Sequence, residues 1–167
     1  MEFALNAVPA EPSRGLIKSS PGLFSQLIRI YFEDTDAGGI VYHASWLRFF
    51  ERARTDWLRE MGITQAELAR TQGLGFVVRD LQIEYLRPAR LDDLIQTELS
   101  VADLRRASLR LEQRAQSADG SRRLVDARVR IAVIDLASGR PRPLPDALMD
   151  RLQTDTMISE ELRSDAT

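Results

Sequence analysis

The chain has 167 residues, of which 44% are hydrophobic and 29% are charged; these fractions are those of an ordinary soluble domain, and the length suits a single one. It contains no cysteine and one histidine, His43, which excludes disulfides, thiol nucleophiles and zinc sites built from cysteines or from two histidines. The net charge of −2 provides no overall field that would attract nucleic acid.

The two ends of the chain lack the patterning of a folded core. Residues 1–24 carry three prolines and two glycines with little periodicity, which predicts a flexible N-terminal leader. Residues 146–167 hold six acidic residues against two arginines, and residues 154–167 predict a frayed acidic tail. We therefore expect a single domain over residues 25–153. Because no run of about 18 apolar residues and no secretory signal is present, we expect a cytoplasmic protein with no membrane insertion.

A strand, a turn and two helices come first along the chain. Alternation over residues 27–33 predicts a strand, and two adjacent glycines mark a turn over residues 34–39. From about residue 44 to 61 large apolar residues recur at helical spacing, which predicts a long buried helix. A second helix is predicted over residues 65–72 and ends at Gly73.

Four further strands follow. Apolar and polar residues alternate in four segments that turn signals separate, namely residues 80–86, 94–101, 107–115 and 125–133. Such alternation gives each strand one wet face and one dry face, which is typical of an antiparallel sheet. The whole pattern predicts an α+β hot-dog fold, in which a curved five-stranded antiparallel sheet wraps around a long central helix.

Residues 33–43, between the first strand and the long helix, hold three carboxylates, two glycines and the only histidine. The segment does not fit a calcium-binding EF-hand loop, because Gly38 and Ser45 stand at two of the ligand positions. A phosphate-binding glycine pattern and the G-x-S-x-G elbow of serine hydrolases are also missing from the sequence. Two interpretations remain: Asp34 and Asp36 only shape a turn, or one of them is catalytic.

A catalytic role for Asp36 is suggested by its place before a helix. A glycine-bearing loop that leads into a helix gathers free backbone N–H groups and the positive end of the helix dipole at one point. Such a point stabilises an oxyanion, and a nearby carboxylate could attack a polarised carbonyl or activate water. Asp36 is better placed than Asp34 because it is closer to the glycines. The pattern indicates an acyl-transfer hydrolase that uses no serine, cysteine or metal.

The run IRIYFEDTDAGGIVYHASWLRFFERARTDWL, residues 28–58, resembles the signature of the 4-hydroxybenzoyl-CoA thioesterase family of hot-dog proteins. Within that family it is most similar to the bacterial acyl-CoA thioesterases associated with the Tol–Pal system. The resemblance implies that Asp36 is the catalytic carboxylate, either as nucleophile or as general base, and that the backbone N–H of His43 is the oxyanion donor. It also implies that Gly39 and Tyr42 belong to the site.

The resemblance further implies an acyl-CoA substrate with a short, medium-length or aromatic acyl group, or the same group on acyl carrier protein. Arg105, Arg106 and Ser108, in the segment DLRRASL, match the region that holds the coenzyme A nucleotide in the family, and arginine forks suit phosphate. Arg87 and Arg90 are weaker matches. No cofactor, metal or nucleic-acid partner is expected. The family forms dimers and tetramers with active sites between subunits, so we expect a homo-oligomer, up to a homotetramer.

Three alternatives stay open. Glu51 is a second candidate for the catalytic acid, because another branch of hot-dog thioesterases uses a carboxylate on the central helix; on a helix it would also suit an ion pair with Arg48 or Arg54. A hot-dog enoyl hydratase would bring aspartate and histidine closer in sequence than Asp36 and His43 are. A non-catalytic acyl-thioester-binding or scaffold protein, linked to lipid synthesis or the cell envelope, is the alternative from another functional class.

Overall fold

Helix α1, which spans Ser45–Glu60, lies at the centre of the fold. In the computed structural model, which describes residues 14–20 and 22–154, it packs against one antiparallel sheet. The strands are β1 (Arg14–Ser20), β2 (Leu23–Arg29), β3 (Leu74–Tyr85), β4 (Leu94–Arg105), β5 (Ser108–Ser117) and β6 (Arg123–Asp135), in the spatial order β1-β2-β4-β5-β6-β3. Helix α2 (Gln65–Gln72) leads into β3, and residues 146–154 form a further helix, α3. The predicted hot-dog arrangement of a sheet around a central helix is confirmed.

The composition of α1 explains why this helix is buried. Its apolar residues recur at helical spacing and face the sheet, with Phe49 and Ala53 completely buried and Trp46 nearly so. Each large side chain that leaves water contributes roughly 1.5–3 kcal/mol to folding. No helix of the described residues is long and apolar enough to cross a membrane.

Near the middle of α1, a polar contact fixes the helix on the sheet. The side-chain amide of the buried Gln113, on β5, donates to the backbone carbonyl of Phe50 at 2.9 Å, and its oxygen accepts from Nη1 of Arg54 at 2.8 Å. Burial lowers the pKa of Arg54, and the nearby Glu51 carboxylate opposes that shift. Because buried polar groups are costly unless they are paired, this contact favours one position of the helix along the sheet.

The sheet has six strands where the sequence predicts five. The additional strand β1 pairs with β2, within the residues for which a flexible leader is predicted. An edge strand forms by backbone hydrogen bonds to a single neighbour, and its sequence need not alternate between apolar and polar residues. For this reason hydrophobic periodicity does not reveal β1. Residues 1–13 of the predicted leader and residues 155–167 of the predicted tail lie outside the described residues.

Two strand boundaries also differ from the prediction. Strand β2 ends at Arg29, and Phe32, which the alternation assigns to the strand, is 81% exposed in the 3-10 turn Phe32–Asp34. Strand β3 begins at Leu74, six residues before its predicted start, because a bulge between Val78 and Asp80 shifts the register and interrupts the alternation there. Helix α2 has the predicted bounds.

Candidate active site

The loop between β2 and α1 folds back on itself as a short hairpin. An antiparallel bridge joins Thr35 to Val41, and the backbone N–H of Asp36 donates to the carbonyl of Ile40 at 2.9 Å. This pairing places Asp36 beside the segment that leads into α1. Asp36 and His43, which are seven positions apart in the sequence, therefore belong to the two arms of one hairpin.

Both glycines of the loop are required by geometry. The N–H of Gly38 donates to Oδ1 of Asp36 at 2.8 Å, and a Cβ atom on residue 38 would stand only 3.0 Å from that oxygen. Gly39 has a φ of +71°, in the left-handed region that residues with side chains rarely adopt. Its N–H donates to the carbonyl of Asp36 at 2.9 Å. The two glycines therefore allow the loop to close tightly around Asp36.

The two aspartates of the loop have different environments. Asp34 is 5% exposed, and its Oδ2 accepts the backbone N–H of Tyr31 at 2.9 Å, which closes the 3-10 turn. Asp36 is exposed, and Gly38 provides the side-chain hydrogen bond that holds its carboxylate. The turn-shaping interpretation therefore fits Asp34, whereas the carboxylate of Asp36 faces solvent and is accessible to a bound molecule.

We expect Asp34→Ala to lower the free energy of unfolding by about 1–3 kcal/mol, because it leaves the N–H of Tyr31 without its acceptor in a partly buried place. Urea denaturation followed by circular dichroism measures the change. Asp34→Asn, which retains an oxygen acceptor, is the matched control and should lose less than half as much. A stability of Asp34→Ala equal to that of the wild type would contradict the capping role of this carboxylate.

The start of α1 offers two backbone donors. The N–H of Ser45 donates to the carbonyl of Tyr42 at 2.8 Å, which forms a turn with His43 and Ala44 at its corner. The N–H groups of His43 and Ala44 are not bonded to any other residue between 22 and 154. They lie at the N-terminal end of α1, where the helix dipole is positive. Such donors can bind the oxygen of a polarised carbonyl.

Three half-exposed aromatic residues surround this turn. The ring of His43 lies 4.4 Å from the ring of Tyr42 and 6.5 Å from that of Tyr85, measured between centroids. The hydroxyl of Tyr85 donates to the carbonyl of His43 at 3.1 Å, and burial raises the pKa of this tyrosine, so the hydroxyl keeps its proton at neutral pH. The sequence prediction did not include Tyr85 in the site, because it lies 42 residues away on β3 and no local motif marks it.

Glu51 stands apart from this group. It lies eight residues beyond His43, or about 12 Å along the axis of α1. Its carboxylate accepts the hydroxyl of Thr55 at 2.7 Å. Within one chain, the structure does not bring Glu51 to the loop that carries Asp36.

The predicted nucleotide-binding residues lie at the far end of the sheet. Strand β4 starts at Leu94, which pairs with Arg29 next to the active-site loop, and ends at Arg105. Eleven steps along a strand correspond to about 36 Å. Arg105, Arg106 and Ser108 form the hairpin between β4 and β5, and Nε of Arg105 donates to Asp103 at 2.9 Å. A single chain therefore does not bring this hairpin to Asp36.

Two other arginines are near the loop. Arg87 and Arg90 flank Ala89, whose carbonyl accepts the N–H of Val41 at 2.9 Å. Nη1 of Arg87 donates to the carbonyl of Arg123 at 3.2 Å. Both side chains are exposed, so cationic groups are available beside the loop within the same chain.

The loop and the start of α1 thus bring together a carboxylate, two backbone donors and three aromatic rings. In the part of the chain that the structure describes, no three acidic or histidine side chains are grouped in a way that could hold a metal ion. The arrangement suits addition to an activated carbonyl.

Comparison with known proteins agrees with this chemistry. The model of a family described as the thioesterase-like superfamily matches residues 30–152. An acyl-CoA thioesterase YbgC of Haemophilus influenzae is 45% identical over 122 residues, which cover 73% of this chain and 88% of the relative. An acyl-CoA thioester hydrolase YbgC of Escherichia coli O6:H1 is 41% identical over 127 residues, 76% of this chain and 93% of the relative.

A solved structure gives the same result. The crystal structure of a probable thioesterase from Bartonella henselae superposes with a TM-score of 0.68 at 39% identity, covering 74% of this chain and 99% of that one. The family-model match over residues 30–152 contains both the active-site loop and the central helix.

Proposed function

Because the chain belongs to the thioesterase-like superfamily, we propose that it is an acyl-CoA thioesterase in which Asp36 acts on a thioester carbonyl held by the N–H of His43. The observation that supports this proposal is the hairpin in which Thr35 pairs with Val41: it carries the exposed carboxylate of Asp36 and leads into the N–H groups at the start of α1, which have no partner among residues 22–154. The relatives at 41–45% identity that are named for this activity support the reaction class.

Each group has a defined part in the reaction. The thioester oxygen accepts the N–H of His43, which stabilises the negative charge that develops on that oxygen. As nucleophile, Asp36 attacks the carbonyl carbon, the carbon–sulfur bond breaks, and water hydrolyses the resulting mixed anhydride. As general base, Asp36 instead takes a proton from the water molecule that attacks. Both routes give the free acid and the coenzyme A thiol.

A single-turnover reaction in ¹⁸O water tests the nucleophilic route. Incorporation of the label into the Asp36 carboxylate indicates that the anhydride forms and that water attacks its aspartyl carbonyl. Label that appears only in the product acid is the result of the general-base route and also of water attack on the acyl carbon of the anhydride.

Tyr42, Gly39 and Tyr85 have supporting parts in this proposal. We assign Tyr42 and the ring of His43 to the side of the active site that the substrate enters, and Gly39 to the turn that holds Asp36 in the loop. Tyr85 holds the carbonyl of His43, and with it the orientation of the peptide groups at the start of α1. A displacement of this turn by about 1 Å would reduce the rate substantially.

The substrate's nucleotide is proposed to contact Arg105, Arg106 and Ser108 of another subunit. Along β4 this hairpin is eleven residues, or about 36 Å of strand, from the end next to the active-site loop, which favours contact with a substrate bound to another subunit. Guanidinium groups bind phosphate through two parallel hydrogen bonds, which suits a nucleotide carrying several phosphates.

We expect the double variant Arg105→Ala with Arg106→Ala to raise the KM for acyl-CoA about five- to tenfold and leave kcat nearly unchanged, because the nucleotide contributes only binding. Steady-state thiol release from acyl-CoA and from the matching acyl-N-acetylcysteamine, which lacks the nucleotide, measures the effect. Arg110→Ala, an exposed arginine on β5, is the control. An equal rise in KM for both substrates would contradict phosphate binding by this pair.

The proposal includes a dimer formed through β3. This strand lies at the edge of the sheet, and its concave face carries Val78, Leu81 and Tyr85, which are 53%, 38% and 47% exposed. Exposed edge strands with apolar residues readily pair with another strand. A second copy placed against β3 would adjoin the active site, because Tyr85 is bonded to His43. Location in the cytoplasm, a link to the Tol–Pal system and assembly into a tetramer stay predictions.

A further inference from the structure

The peptide group that joins His43 to Ala44 is bonded at one end and open at the other. Its carbonyl, which belongs to His43, accepts the hydroxyl of Tyr85 at 3.1 Å. Its N–H, which belongs to Ala44, is not bonded to any other residue between 22 and 154. Because a trans peptide group is planar, its C=O and N–H point in opposite directions. Tyr85 therefore holds this group from the side opposite to the one that the N–H faces.

The hydrogen bonds of α1 do not fix the orientation of this carbonyl. Ala44 is the N-cap residue of α1, and the carbonyl of an N-cap residue is the first that accepts an intrahelical bond. In agreement, the N–H of Leu47 donates to the carbonyl of Ala44 at 3.2 Å. The carbonyl of His43 lies one residue before this point, so the bond from Tyr85 provides a constraint that the helix itself does not.

The two open N–H groups of the turn face the same space. Ala44 has φ −77° and ψ −18°, which is close to the second central residue of a type I turn, and the first central residue of such a turn, here His43, is also helical. The N–H groups of successive helical residues point toward the N-terminal end of the helix. A carbonyl oxygen has two lone pairs, so one oxygen at the start of α1 can accept both N–H groups.

The position of Tyr85 is in turn fixed by the sheet. Tyr85 is the last residue of β3 and pairs with Val125 of β6. Four residues later, the carbonyl of Ala89 accepts the N–H of Val41 at 2.9 Å. The segment from Tyr85 to Ala89 therefore bonds both the active-site loop and the turn at His43. Donors that such a rigid element supports keep their geometry during a reaction.

We propose that the N–H of Ala44 is a second donor to the thioester oxygen, and that Tyr85 is the positioning residue that orients and strengthens this donor. The inference rests on the proposed thioesterase function and deepens it. When a carbonyl accepts a hydrogen bond, the N–H of the same peptide group becomes a stronger donor, because hydrogen bonds in a chain polarise one another. Donors that are oriented in advance stabilise the developing charge without reorganisation. Tyr85 acts on the substrate through this peptide group.

The first test removes the hydroxyl of Tyr85 and keeps its ring. We expect Tyr85→Phe to lower kcat for butanoyl-CoA about 10- to 30-fold and to leave KM within about twofold, because the lost bond acts in the transition state. The melting temperature and the mass by light scattering should be those of the wild type. Tyr31→Phe, which removes the hydroxyl of another half-exposed tyrosine, is the control. A raised KM with unchanged kcat would overturn the proposal.

The acidity of the hydroxyl provides a measurement that a merely structural role would not change. Monofluorotyrosine and difluorotyrosine at position 85 keep nearly the same shape, but their hydroxyls are more acidic and are therefore stronger donors. At a pH where every hydroxyl of the series keeps its proton, kcat should rise with each fluorine. A kcat that is independent of the acidity of the hydroxyl would contradict the proposed strengthening of the Ala44 donor.

The second test removes the donor itself. Ala44→lactic acid replaces the backbone N–H by an ester oxygen and keeps the methyl side chain. We expect this change to lower kcat about 10²- to 10³-fold, as the loss of an oxyanion donor does. In the same background Tyr85→Phe should lower kcat less than about twofold further, because Tyr85 acts through the missing donor. A wild-type kcat in Ala44→lactic acid, or a full additional loss in the double variant, would overturn the proposal.

A spectroscopic measurement separates this inference from the proposed reaction. Infrared difference spectra of ¹³C-carbonyl butanoyl-CoA bound to Asp36→Asn report the stretching frequency of the thioester carbonyl, which hydrogen-bond donors lower. We expect a lower frequency than in the free compound, and a partial return toward the free value when Tyr85→Phe is added. This result would support the donor pair even if the wild type did not hydrolyse the compound. A bound carbonyl with the frequency of the free compound would overturn the inference whatever the enzyme's activity.

Discussion

Leu81→Asp is expected to convert the protein to monomers and to lower kcat/KM for butanoyl-CoA at least about 100-fold. Leu81 lies on the uncovered face of the edge strand β3, and a charge at this position would oppose apolar contact with a second copy placed against that strand. The rate would fall because a site formed between subunits loses one side, and even slight misplacement of reacting groups is costly.

Size-exclusion chromatography with light scattering, run on the samples used for kinetics, measures the first effect. Arg110→Asp is the control, because it introduces the same charged residue at an exposed position on β5, away from the edge strand β3; it should keep the wild-type mass and rate. A Leu81→Asp monomer with full activity would contradict a site that needs two subunits. A Leu81→Asp protein that keeps its mass would contradict the interface at β3.

Asp36→Asn is expected to lower kcat for acyl-CoA hydrolysis at least about 10³-fold with little change in KM. The amide has neither the nucleophilicity nor the basicity of the carboxylate, and loss of a group of this kind typically costs two to four orders of magnitude. The amide oxygen can still accept the N–H of Gly38, so we expect the loop and the melting temperature to be retained.

Glu51→Gln is the control for this variant, because Glu51 is an exposed carboxylate on α1 that bonds Thr55. It should keep kcat within about threefold. If Asp36→Asn were fully active and Glu51→Gln inactive, the helix carboxylate would be the catalytic group. A wild type that bound acyl-CoA without hydrolysing any acyl-CoA or acyl carrier protein substrate would support the non-catalytic alternative.

Most of the fold could be predicted from the sequence because its signals are local. The apolar spacing of α1 and the alternation in β4, β5 and β6 give their positions to within a few residues. The features that the sequence does not predict depend on contacts between distant segments or on an interruption of the alternation between apolar and polar residues. Strand β1 forms by backbone pairing with β2, and the bulge in β3 hides the first part of that strand.

The candidate site also combines features that local sequence signals predict with features that depend on contacts between distant segments. The glycines, the aspartates and the histidine follow one another in the sequence, so the loop could be identified before its geometry was known. The sequence favours Asp36 over Asp34 because Asp36 is closer to the glycines, and burial adds the physical difference between them: Asp34 is buried, whereas Asp36 is exposed. Tyr85 and the hairpin of Arg105 and Arg106 are placed relative to Asp36 by the pairing of the strands, which local patterns do not encode.

The most direct test of the proposed mechanism is a crystal structure of Asp36→Asn with dodecanoyl-CoA bound. We predict that the thioester oxygen lies 2.7–3.1 Å from the backbone nitrogen of His43, the range for an oxyanion-type contact. The carbonyl carbon should lie about 3–3.5 Å from the side chain of residue 36, close enough for attack. A thioester carbonyl bound beside Glu51, with the turn at His43 unoccupied, would contradict the account.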